Sequence, residues 1–244
     1  MKTLYRSTRE TASHTMTSSQ AVLQGLTPDG GLFVPVTLPT ANFDFDQLAT
    51  MSYQEVAYEV LKLFFTDYTA DELHACIDAA YGDQFDDSQI APVTKHGQQY
   101  YLELFHGPTI AFKDLALQIL PHLMTTAVKK NHLQAEVVIL AATSGDTGKA
   151  AMAGFANVDQ TRIIVFYPKD GVSAIQKQQM VTQTGANTSV VAINGNFDEA
   201  QTTVKKLLND HQLHAELAAH QFQFSSANSI NIGRLFQIGR ASCR

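Results

Sequence analysis

Hydrophobic and polar positions alternate in two different regimes along this chain. In the first part the apolar residues follow a helical period. Between Tyr53 and Phe65 the side chains of Val56, Val60, Leu61 and Phe64 fall on one helical face. A second helix is expected from Asp71 to Tyr81, with Asp71 and Glu72 at its positive end. Ahead of these, Gln20–Leu26 leads into the turn signal Pro28-Asp29-Gly30-Gly31 and a short apolar run, Leu32-Phe33-Val34, closed by Pro35. Residues 1–90 therefore read as a mixed, mainly helical N-terminal region.

Further along, short continuous apolar runs appear at Val137–Ala141 and Ile163–Tyr167, and further strands are expected at Ser189–Ile193 and Phe222–Ser225. Helix-forming stretches separate them, at Lys149–Phe155, at Ala174–Thr182 behind a Ser173 cap, and at Asp198–Leu208. Strands recurring roughly every 26–33 residues with a helix between them imply right-handed crossovers and a parallel sheet. Runs apolar on both faces imply helices on both sides. Residues 91–237 are thus expected to form an open α/β domain with a mostly parallel sheet. Its ligands belong at the carboxyl ends of the strands.

Composition narrows the function classes. The 244 residues are 45% hydrophobic and 16% charged, with a formal net charge of -6. That balance suits a folded protein and disfavours a nucleic-acid partner, which would need a basic face. Two cysteines with no CxxC spacing give neither a disulfide framework nor a metal cluster and point to a reducing, cytoplasmic setting. No secretory leader and no membrane-length apolar run are evident.

Three segments carry chemistry. In Leu104-Phe105-His106-Gly107-Pro108-Thr109-Ile110-Ala111-Phe112-Lys113-Asp114, a Gly-Pro-Thr turn feeds a helix expected to start near Ala111. Lys113 falls in its first turn beside Phe112 and Leu115. Desolvation and the positive helix end both favour its free amine, the form needed for a Schiff base; a surface lysine is the alternative. The second segment, Thr143-Ser144-Gly145-Asp146-Thr147-Gly148, follows a strand and opens onto a helix N-terminus, which is an anion site or an ordinary turn. Neither GxGxxG nor GxxxxGK[ST] is present. The third, Ser225–Arg234, gathers hydroxyls, amides and one guanidinium where a strand gives way to a helix; helix capping is its alternative.

Together, FHGPTIAFKD, ATSGDTGKAA and NSINIGR resemble three motifs of the threonine synthases, in order, and Tyr5–Arg9 and Ala21–Pro35 resemble their N-terminal region. The likeness runs to about Gln237. It implies a fold-type II pyridoxal-phosphate enzyme, similar to the tryptophan synthase β fold, with Lys113 holding pyridoxal 5'-phosphate as a Schiff base and later moving protons. It also implies that Ser144, Gly145, Thr147 and Gly148 receive the substrate carboxylate. Asp146 would lie near the cofactor and orient the loop, and Ser229, Asn231 and Arg234 would serve the substrate phosphate. His106 is a supporting candidate, with turn fixing as its alternative. The implied reaction converts O-phospho-L-homoserine and water to L-threonine and phosphate. No metal and no membrane partner is implied.

Two departures qualify the resemblance. The later Gly-rich phosphate loop of the family and the group that meets the pyridine nitrogen have no counterpart here; Asn194–Asp198 is only superficially similar. The chain is therefore expected to be an N-terminal fragment, with its C-terminal part missing. Ile238–Arg244 matches what one reading frame of a common sequencing adapter would encode and is expected to be a non-native tail. The competing readings are another fold-type II lyase, such as a threonine dehydratase or cysteine synthase, and a non-catalytic anion-binding module.

Overall fold

A computed structural model describes residues 2–9 and 14–241, with side chains through residue 236. Of the segment expected to be non-native, residues 238–241 continue the backbone of the last helix, and 242–244 lie outside the described residues.

The N-terminal region comprises β1 (Tyr5–Ser7), α1 (Ser18–Gln24), β2 (Phe33–Pro35), α2 (Phe45–Leu48), α3 (Tyr53–Phe64) and α4 (Ala70–Ala80). Strands β1 and β2 pair antiparallel. The main helices start where side chains satisfy the free N–H groups. Thr17 with Gln20, Ser52 with Glu55, and Thr69 with Glu72 form capping boxes on α1, α3 and α4.

Next come β3 (Val93–His96), β4 (Gln99–Leu102), α5 (Asp114–Leu117) and α6 (Leu120–Lys130). The α/β region continues as β5 (Glu136–Ala142), α7 (Asp146–Phe155), β6 (Thr161–Pro168), α8 (Ala174–Val181), β7 (Thr188–Ile193), α9 (Phe197–Leu208), α10 (His211–Ala219), β8 (Phe222–Ser226) and α11 (Ile232–Ala241). The sheet order is β7-β6-β5-β8, and every pairing is parallel. Ile139, for example, sits opposite Ile163 on one side and Ser225 on the other.

Strand β5 shows why its apolar run is continuous. Val137, Ile139 and Ala141 enter one core while Val138, Leu140 and Ala142 enter another, on the opposite face of the sheet. The first core is continuous with the N-terminal helices: Tyr5, Val22, Leu61, Phe65, Ile77 and Tyr81 share it with Leu117, Leu123 and Ile139. The second lies under α9, through Ala200, Val204 and Leu208.

Several expectations change. The helix expected near Ala111 begins at Asp114, and Lys113 occupies its N-cap position. Ile110 has φ 58, a left-handed conformation that breaks a helical path, and Asp114 accepts hydrogen bonds from the turn before it. The β3–β4 hairpin is new: its residues are almost all exposed, so no apolar alternation marks it. Helix α6, unassigned from the sequence, buries one stripe of Leu120, Leu123, Met124, Ala127 and Val128, and α10 buries no residue and so shows no stripe.

Candidate active site

The turn holding Lys113 is built by Asp114. This side chain is fully buried, and its Oδ2 accepts from the Thr109 amide at 2.8 Å and the Ala111 amide at 3.4 Å. Its Oδ1 accepts from Thr109 Oγ1 at 2.6 Å. Gly107 lies against the Asp114 side chain so closely that an added Cβ would sit 2.5 Å from the Asp114 Cβ. Burial pushes the Asp114 carboxyl up, against these hydrogen bonds and the nearby Lys149 charge. The sequence showed Asp114 as part of the motif but gave no sign that it organises the turn.

Lys113 follows directly, half-buried, with Nζ 4.5 Å from the centroid of the Phe112 ring. Burial lowers its pKa, and the Arg234 charge lowers it further, while Asp146 acts the other way. The ring also favours the ammonium. Desolvation and Arg234 prevail, so the amine is held nearer its neutral form than on a free lysine.

The loop after β5 sits on α7's N-terminus. Thr143 shapes it: its Oγ1 accepts from the amides of Gly145 at 2.9 Å and Gly148 at 2.8 Å. Those two glycine amides are therefore turned inward. Among the described residues, the amides of Ser144, Asp146 and Thr147 have no acceptor, nor do the Ser144 and Thr147 hydroxyls have a hydrogen-bond partner. Gly145 has φ 140, where other residues are strained, and an added Cβ would meet Gln176 at 2.3 Å. Asp146 Oδ1 accepts from Gln176 Nε2 at 2.9 Å and lies 3.6 Å from Lys149 Nζ. Its carboxylate is thus tied into α8 and α7. Thr143, Gln176 and Lys149 were missed by sequence reasoning; a buried lysine one turn into a helix looks like any other lysine on paper.

The third segment divides. Arg234 is buried, donates from Nη1 to the Ala227 carbonyl at 3.0 Å, and has a buried Nε with no partner. Its desolvation brings its pKa down to about 10. Asn231 is fully committed within the protein. Its Nδ2 donates to the carbonyls of Val22 at 3.0 Å and Ser226 at 2.9 Å, and its Oδ1 accepts from the Gly233 amide at 2.9 Å. Asn231 accordingly has no polar atom left for a ligand and acts as a staple between β8, α11 and α1. Ser229 is exposed, with a free hydroxyl.

The charges of Arg234 on α11 and Asp146 on α7 thus both bear on Lys113 at the start of α5. His106 stands before the turn, with Nδ1 2.5 Å from Asp86 and Nε2 2.9 Å from Glu103. Asn196, the residue of the superficially similar segment, caps α9 through the Glu199 amide at 2.9 Å. A groove of about 900 Å³ along β8, α10 and α1 holds none of the candidate residues; its walls include Leu26, Leu208, Phe222 and Phe224.

These features can be set beside known proteins. The family description "Threonine synthase N terminus" matches residues 4–81, and "Pyridoxal-phosphate dependent enzyme" matches residues 91–236. Threonine synthase of Eremothecium gossypii is 34% identical over 96% of this chain and 48% of its own length. Threonine synthase-like 1 of Homo sapiens is 41% identical over 89% of this chain and 30% of its own. The crystal structure of pyridoxal-phosphate-bound threonine synthase from Brucella melitensis superposes with a TM-score of 0.80 at 35% identity, over 98% of this chain and 52% of that one. The chain spans about half or less of the length of these relatives. With a lysine-bearing turn, an open helix N-terminus and matching descriptions over most of its length, the chain belongs to the pyridoxal-phosphate dependent enzymes and, within them, to the threonine synthase group.

Proposed function

We propose that this chain carries the attachment lysine and the substrate-anion site of a cytoplasmic threonine synthase, which converts O-phospho-L-homoserine and water to L-threonine and phosphate. The observation that supports it most is the half-buried Lys113, whose amine is held toward its neutral form by burial and by the Arg234 charge.

The residues present fit pyridoxal 5'-phosphate at its aldehyde end. A neutral amine at Lys113 is the nucleophile such a group requires. When bound, the cofactor supplies the electron sink that lets phosphate leave from the γ carbon and water add at the β carbon. The chain's own residues do the rest. Lys113, once free, takes and returns protons at the substrate carbons. The amides of Ser144, Asp146 and Thr147, with the Ser144 and Thr147 hydroxyls, hold the substrate carboxylate at the positive end of α7. Gly145 and Gly148 keep that loop in shape through Thr143. Asp146 orients the loop from its contact with Gln176. Arg234 offers its unpartnered Nε to an anion, with Ser229 nearby in sequence at the start of the same segment.

The test has two parts. Pyridoxal phosphate is titrated into the chain, followed by borohydride fixation and peptide mapping; label on Lys113 that is lost in Lys113→Ala is expected. A chain extended to the length of the relatives is then assayed with phosphohomoserine, threonine and serine. Turnover of threonine or serine without phosphohomoserine would replace this reading by a dehydratase-like one. Absence of any Lys113 label would favour a non-catalytic anion-binding module.

A further inference from the structure

Lys149 is a buried charge with no role in the reaction described above. It lies at the end of the first turn of α7, only 8% exposed. A lysine at that depth needs compensating charge. Two carboxylates provide it. Asp146 Oδ1 lies 3.6 Å from its Nζ, and fully buried Asp114 on α5 interacts with its charge.

Each carboxylate reaches Lys113 by its own route. Asp114 accepts the hydrogen bonds that shape the turn ending at Lys113. Asp146, anchored by Gln176 of α8 at 2.9 Å, acts on the Lys113 charge directly. The charged groups acting on Lys113 are thus Asp146 of α7 and Arg234 of α11; those acting on Lys149 are Asp146 and Asp114.

We propose that Lys149 is a positioning residue: its ion pair with Asp146 holds that carboxylate on the loop and offsets its charge, leaving Lys113 as the free amine of the site. The proposal deepens the reading of Lys113 as the attachment lysine and rests on it. Loss of Lys149 would leave Asp146 uncompensated in a partly desolvated site, where it favours the Lys113 ammonium. The free-amine fraction would then fall.

The experiment is competitive acetylation of the full chain by acetic anhydride, with the Lys113 peptide quantified by mass spectrometry from about pH 7 to about pH 11. In Lys149→Met the Lys113 midpoint is expected to rise by up to about one pH unit, a fall of up to about tenfold in free amine below it. Lys149→Arg should restore the midpoint, and Asp146→Asn should lower it. In the Asp146→Asn background, adding Lys149→Met should change nothing, because the effect runs through that carboxylate. An unmoved midpoint in a folded Lys149→Met chain overturns the proposal, as does failure of arginine to restore it. Should Lys149→Met fail to fold, the double variant decides: a rise that persists without the Asp146 charge, or no downward move in Asp146→Asn, refutes it. The readout needs no cofactor. Failure of the wild-type chain to be labelled by pyridoxal phosphate would count against the proposed function alone.

Discussion

Replacing Asp114 by asparagine and by leucine separates its charge from its hydrogen bonds. Asparagine can keep the set. Its oxygen can accept from the Thr109 and Ala111 amides, and its amide can donate to the Thr109 hydroxyl, which rotates to accept. Only the charge is lost, and burial already pushes the Asp114 carboxyl above its usual range. The sign follows from that direction. The folded chain holds this proton more readily than the unfolded chain, so the group's contribution is fully present below the ordinary aspartate value. It is lost as pH rises through the raised one. At neutral pH the ionised side chain is therefore a net cost relative to its neutral form. Asp114→Asn is expected to change stability by less than about 1 kcal/mol near pH 7 and to remove that step. Leucine strands two buried amides at about 1–3 kcal/mol each, or about 2–6 kcal/mol. Its added apolar burial returns about 1–2 kcal/mol. The net loss is roughly 0–5 kcal/mol, its upper end large against a typical total of about 5–15 kcal/mol. Urea unfolding followed by circular dichroism at about pH 5 and about pH 7 measures both variants. Equal losses in the two, or a loss beyond about 2 kcal/mol in the asparagine variant, would refute this account of the turn.

Three further outcomes are expected. Arg234→Met removes a charge that disfavours the Lys113 ammonium, so the Lys113 midpoint should rise and labelling by pyridoxal phosphate near neutral pH should slow by roughly 2–10-fold; unchanged labelling counts against the coupling. His106 has its pKa raised by its hydrogen bond to Glu103, against desolvation, with Asp86 and Asp87 adding to the rise. Its contribution is fully present below the ordinary histidine value and fades as pH rises through the raised one. His106→Gln should flatten the melting profile in that window, and a variant profile parallel to the wild type would show the clamp to be inert. Asn231→Ala loses three hydrogen bonds, about 1.5–4.5 kcal/mol in sum, while Asn231→Asp turns a carboxylate oxygen toward two carbonyls and should cost more near neutral pH. Thermal unfolding ranks the pair, and an aspartate variant as stable as the alanine one would overturn the staple.

The parts of this fold legible in the sequence were those encoded locally. The Ser173 cap sits at the start of its helix, and the central strands β5 and β6 announce themselves by apolar runs. The hairpin of β3 and β4 stayed invisible because Tyr100 and Tyr101, which would mark a half-buried strand, are both exposed. At the candidate site, the motif singles out Lys113, but the helix beside it begins three residues later than the sequence suggests. The reason is tertiary: Asp114 folds back on the turn before it, and no pattern of residue types encodes that. The same holds for the third segment. Asn231 and Arg234 look alike as polar donors in a string, yet one is consumed by carbonyls of α1 and β8 and the other keeps a buried donor free. Lys149 needed the structure altogether, since its significance is depth, and depth is a property of packing.

The Asn231 staple also sets an order of assembly. Its amide closes on the Val22 carbonyl across 209 residues of chain, and Ser225 and Gln223 reach the same end of α1 across 203 and 200. A ribosome adding about 5–20 residues per second would take roughly 10–40 s to deliver Asn231 after Val22. Throughout that interval the last carbonyls of the α1 segment have no partner from β8 or α11, and a helix of 7 residues is marginal without such partners. This segment is thus sealed late relative to its synthesis, and the nascent chain must keep it in waiting until a strand synthesised much later arrives to lock it.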